Sequence, residues 1–172
     1  MKLILILFVC FLGFNKGKFT GNNHLVKTVI DTPTIINQIR TNFLAINKHL
    51  SQYKKKSRDV SELSAEGGEV IGYYDKNKLK KMHCIFYGEM GKAETDYYFN
   101  DKGLFFLFRK ETFYDKPMYL KDFKVKGTTE TRYYINEKQI IKSISKPIGK
   151  AVLVYKDVAE DVKQCVNILN LK

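Results

Sequence analysis

Apolar and polar positions divide the chain into stretches of different texture. Leu3 to Phe14 is almost unbroken apolar sequence, preceded by Lys2 and followed by Asn15-Lys16-Gly17-Lys18. A positive residue, about a dozen apolar ones and a polar step are the three zones of a secretory signal. The run is shorter than the roughly 20 residues a helix needs to cross a bilayer core. No polar stripe interrupts Leu3–Leu12, as an amphipathic helix would require. Residues 1–17 are therefore expected to be a cleaved signal peptide, which places the mature chain outside the cytoplasm, periplasmic or secreted. Cys10 has no small residue before it and reads as an apolar member of the run rather than a lipidation site. Residues 18–34 are polar and carry Gly21-Asn22-Asn23 and Pro33. They read as a linker into a single domain over residues 35–172.

From Ile35 the apolar residues Ile35, Ile36, Ile39, Phe43, Leu44, Ile46, Leu50 and Tyr53 recur at helical spacing. Asp31, Thr32 or Thr34 would cap this helix, with Pro33 in its first turn. Lys54-Lys55-Lys56 would end it, complementing the negative end of the helix dipole. A patch for an anionic membrane surface is the other reading of that cluster. Arg58–Gly68 reads as a polar connection.

A strand-and-turn unit then recurs three times, beginning at Gly72-Tyr73-Tyr74, Asp96-Tyr97-Tyr98 and Arg132-Tyr133-Tyr134. Each copy has a tyrosine pair, a polar turn and an apolar strand, which is the pattern of a β-hairpin. Asn77, Gly103 and Asn136 are expected to supply the positive φ of the turns. Alternation along a strand puts one tyrosine of each pair on either face of the sheet. Leu104–Phe108 is apolar on both faces and should be covered on both. Thr112–Gly127 reads as a long connection, and Ala151–Tyr155 as a short last strand. Asp157 would cap a closing helix with Val158, Val162, Cys165, Val166 and Leu169 as its buried stripe. The expected fold is α+β: an N-terminal helix, an antiparallel meander of six or seven strands built from similar hairpins, and a C-terminal helix.

Composition sharpens this picture in two places. Tyr and Phe, with 11 and 12 copies and no Trp, favour sheet. The net charge of +12, or +10 without Lys2 and Lys16, is spread over scattered lysines and reads mainly as a solvated surface. Export argues against nucleic acid as a partner. Two cysteines outlast signal cleavage, Cys84 and Cys165. In an oxidising compartment they could pair as a disulfide, or they could be two separately buried thiols.

Motifs for chemistry are few. His24, His49 and His83 lie in the linker, a helix and a strand, and no cysteine belongs to a Cys-x-x-Cys, so no metal site is expected. There is no Gly-x-Ser-x-Gly elbow and no phosphate loop, and no cofactor is expected. Glu89 lies between Gly88 and Gly91 in a tight turn, with Glu94 close by in sequence. Paired carboxylates can serve acid/base chemistry. Arg109 and Arg132 stand out among a cation set that is mostly lysine, because guanidinium pairs bidentately with carboxylates and anions. These four residues form the candidate ligand or interaction site.

The string Tyr87-Gly88-Glu89-x-Gly91-Lys92, then Glu94, Tyr97-Tyr98-Phe99, Leu104-Phe105-Phe106, and Glu130-x-Arg132-Tyr133-Tyr134 with Ile140-Ile141, resembles a family of uncharacterised exported bacterial proteins. The resemblance spans Ile39 to Ile144 and departs at Lys142-Ser143, where the family pattern has Arg-Trp. It implies export and a shared fold, and carries no catalytic residue. The sequence thus points to a non-enzymatic binding domain of the cell envelope. Its expected partner is an envelope protein or an anionic envelope component, with membrane contact at most peripheral. The alternative is a small extracytoplasmic hydrolase or ligand-binding enzyme built on Glu89, Glu94, Arg109 and Arg132.

Overall fold

In the computed structural model, residues 31–60, 66–147 and 153–170 are described. The expected signal peptide and most of the linker lie outside them. Helix α1, Thr32–Lys48, starts with Asp31 at its N-cap and a proline in its first turn. The Asp31 carboxylate accepts a hydrogen bond from the Thr34 hydroxyl at 2.9 Å rather than from a backbone N–H. A single 3-10 turn, Leu50–Gln52, then reverses the chain.

Lys54-Lys55-Lys56 does not end the helix but opens strand β1, Lys54–Asp59. The strands that follow are β2, Gly68–Asp75; β3, Lys78–Gly88; β4, Gly91–Asn100; β5, Gly103–Tyr114; β6, Val125–Asn136; and β7, Gln139–Lys146. All seven form one antiparallel sheet in sequence order. β1 and β7 are its edges. Strands β5 and β6 run further than the sequence suggests, so the long connection shrinks to residues 115–124.

Three hairpins turn at the same end of the sheet, and their turns differ from the sequence expectation. Positive φ falls on Gly103 as expected, but on Lys76 rather than Asn77, and on Glu137 and Lys138 rather than Asn136. In a two-residue hairpin loop the left-handed conformation belongs to the loop residues themselves. Asn136 instead closes the ladder opposite Gln139. The ladder register slips by one residue at the third position of each returning strand, so Lys80, Phe105 and Ile141 are extra residues. Such a bulge lets two successive side chains share a face. Phe105 and Phe106 both pack under α1 because of it.

Alternation splits two of the tyrosine pairs as expected. Tyr97 and Tyr133 enter one core with Met82, Cys84 and Leu107. Tyr98 and Tyr134 enter the other with Phe106 and the α1 residues Ile36, Ile39 and Ile46. Register shows that the first pair is displaced by one position. Tyr73 aligns with Tyr98 and Tyr134, so Gly72 stands where the other copies have Tyr97 and Tyr133. A methyl group added at Gly72 would lie 2.9 Å from Leu169 Cδ1 and 2.7 Å from the Tyr74 ring. The missing ring leaves a notch for those two side chains.

Helix α2, Tyr155–Asn170, covers the face opposite α1 through Val158, Cys165 and Leu169. It begins at Tyr155, so that residue is not the end of a strand and Asp157 lies within the first turn rather than at the cap. Leu153 and Val154 are not in a strand either, and the remainder of the expected last strand lies outside the described residues. No described helix is long and apolar enough to cross a membrane.

Candidate functional site

The register separates the four residues singled out in the sequence. Arg109 pairs across the ladders with Thr95 and Thr131, on the face covered by α2. Its Nη2 donates to Glu111 Oε1 at 3.3 Å, and its charge reaches Asp161 on α2. Glu94 and Arg132 lie on the α1 face instead. Glu94, Lys110, Glu130 and Lys146 occupy successive ladder positions on β4 to β7. Cross-strand neighbours of alternating sign stabilise one another. Lys92 adds a 3.1 Å ion pair to Glu94, and Arg132 sits 3.5 Å from Glu130 and over the Phe108 ring. This is a lattice of paired surface charges in which the cations outnumber the carboxylates. Glu89 lies in the β3–β4 turn, apart from the other three.

A second cluster has no signal in the sequence. Asp96 on β4 accepts from Lys81 Nζ at 2.9 Å and lies 2.7 Å from His83 Nδ1, both on β3. Lys81 also lies over the Tyr98 ring, and the Tyr98 hydroxyl donates to Asn47 of α1 at 3.2 Å. Burial alone would raise the Asp96 carboxyl, but the His83 hydrogen bond and the Lys81 charge outweigh it and hold it below its ordinary value. Burial likewise works against the Lys81 charge, and Asp96 more than restores it. The cluster anchors polar groups beneath the end of α1. No group of three or more potential metal ligands occurs among the described residues.

The exposed feature lies at the opposite end of the sheet from the three hairpin turns. There the β3–β4 turn and the 115–124 loop fold together. Tyr114 N–H donates to Met90 O and Met118 N–H to Glu89 O, each at 2.9 Å, and the Tyr119 hydroxyl donates to Glu89 Oε1 at 2.9 Å. Asp115 closes the base of the loop: its N–H donates to Lys124 O, and its carboxylate accepts from Lys124 N–H at 2.7 Å. That bond holds the Asp115 carboxyl below its ordinary value. Tyr114 packs against Phe123 with ring centroids 4.7 Å apart and planes tilted by 53°. On this scaffold Met90, Tyr119, Leu120, Phe123 and Val125 stand exposed, from 39% for Phe123 to 68% for Tyr119. Glu89 is thus the one predicted site residue that lies at the tip, where it positions Tyr119. The aromatic content of 113–125 was visible in the sequence, but its clustering with Met90 needed the strand register.

No family model, curated protein or solved structure matches the chain.

Proposed function

We propose that the chain is an exported, non-enzymatic binding domain of the cell envelope, and that its tip, formed by the β3–β4 turn and the 115–124 loop, contacts another envelope protein. One observation carries the reading: Tyr119, Leu120 and Phe123 of the loop, Met90 of the β3–β4 turn and Val125 at the start of β6 are all exposed at one end of the sheet, where hydrogen bonds hold the turn and the loop together. Contiguous apolar patches on a soluble surface mark interaction sites. Aromatic residues and Met are enriched at protein interfaces. Charge decides among partners. Lys116, Lys121, Lys124 and Lys126 stand against Glu89, Asp115 and Asp122, which is close to balance and unsuited to recruiting a polyanion. Glu89, Glu94, Arg109 and Arg132 share no cleft, so no acid/base role is assigned to them. Export itself rests on the Leu3–Phe14 run.

A photo-crosslinking residue at Leu120, compared with one at Leu44 on the outer side of α1 (64% exposed), tests the contact. Discrete protein adducts from position 120 and none from 44 are expected in intact cells. Equal labelling, or none at either position, overturns the assignment. Export is checked separately, by the mass and compartment of the chain recovered after fractionation. A chain that keeps residues 1–17 and stays in the cytoplasm refutes it.

A further inference from the structure

We propose that Cys84 and Cys165 are joined by a disulfide in the mature protein, latching α2 onto the sheet. The sequence alone leaves open whether the two thiols are buried separately. The structure brings them together. Cys84 lies on β3 between Val70 and Thr95, facing α2, and Cys165 projects from the middle of α2. Both are free thiols buried in the same apolar core, on the facing surfaces of the sheet and α2. Two cysteines that face one another across a helix–sheet contact are placed to form an S–S bond of about 2.05 Å. With Cys10 in the expected signal, the mature chain has no third thiol to compete.

The chemistry also sets when the bond forms. Thiolate is the nucleophile in disulfide exchange. In the folded protein the Cys165 contact and burial push the Cys84 thiol up, so docked α2 protects the pair from exchange. The reaction therefore belongs to folding, before α2 seats. One cysteine thiolate attacks the disulfide of an oxidising thiol–disulfide partner and releases the first partner thiolate. The second cysteine thiolate attacks the mixed disulfide and releases the other. Two electrons pass to the partner's disulfide, and the two protons from the cysteines end on the partner's thiols. In cells this requires the export reading, because the cytosol keeps thiols reduced.

Refolding the full chain carrying Cys10→Ser, which leaves positions 84 and 165 as its two thiols, from denaturant with oxidised glutathione tests the latch without reference to compartment. After unfolding again and alkylating, the expected product is monomeric, 2 Da lighter than the dithiol, unalkylated, and yields a linked peptide containing positions 84 and 165. Reductant should lower its Tm by roughly 10 °C, the order expected for closing a long loop in a domain of this size. The Cys84→Ala/Cys165→Ala variant should show no such fall. Two alkylated thiols after refolding, or an equal Tm fall in the double variant, overturn the proposal. Because glutathione supplies the oxidant here, failure of export and failure of the latch are read out separately.

Discussion

At the scale of residues, Lys81, His83 and Asp96 form a part-buried polar group held by two short contacts to one carboxylate. Removing one partner of a buried pair costs more than the pair contributes, since the other charge is left stranded. Asp96→Asn is expected to destabilise the fold by about 3 kcal/mol, measured by urea titration at pH 7. Replacing Lys81 by Met in that variant should recover part of the loss. The pH dependence has a definite sign. Asp96 is held below its ordinary 3.8 in the folded state, so its contribution is present above the unfolded value. It should be complete near pH 5 and lost as pH falls through the folded value, giving a urea midpoint that declines below about pH 4. Asp96→Asn should flatten that decline; an unchanged slope would assign it to other carboxylates. None of this was legible in the sequence, because Lys81 and His83 meet Asp96 only once β3 and β4 are paired in register. The separation of Arg109 from Glu94 and Arg132 escaped it for the same reason, compounded by the bulge residue Phe105, which shifts the alternation along β5.

At the scale of elements, the tyrosine pairs were readable because alternation is a local property of any strand. The lysine run was not. Three cations after an apolar helical stripe look alike whether the helix ends there or a strand begins, and the reversal at Leu50–Gln52 leaves no strong mark. As an edge strand β1 gives the lysines a different role. Alternation sends Lys54 and Lys56 to one face and Lys55 to the other, so they make no single patch. Charged lysines on an edge discourage pairing with another sheet. Replacing all three with Thr should leave the circular dichroism spectrum intact while producing concentration-dependent association by light scattering. A variant that stays monomeric would show that the edge is protected by other means.

At the scale of the whole molecule, one sheet carries two cores that do not touch. Leu169 belongs to the α2 side and Ile39 to the α1 side. Each truncation to Ala should cost about 2–4 kcal/mol, and the two losses should add within about 0.5 kcal/mol. Both should appear in a single urea transition, because neither face can be buried without the sheet. Two separate transitions would mean that the helices dock as independent units. The class of fold, its strand order and its flanking helices were legible, since each follows from periodicity and chain order. Where along the sheet the last helix settles was not.

Gly72 lies at that seat, with Leu169 close above a position that carries a ring in the other two hairpins. A row of three like hairpins offers a helix several equivalent seats, and a chain with that freedom can settle out of place or exchange its helix with a neighbour. Omitting one ring from the row marks a single address, and Leu169 is the residue that fits it. The departure of the first hairpin from the other two lets the end of α2 come closer to the sheet there than a tyrosine at position 72 would allow.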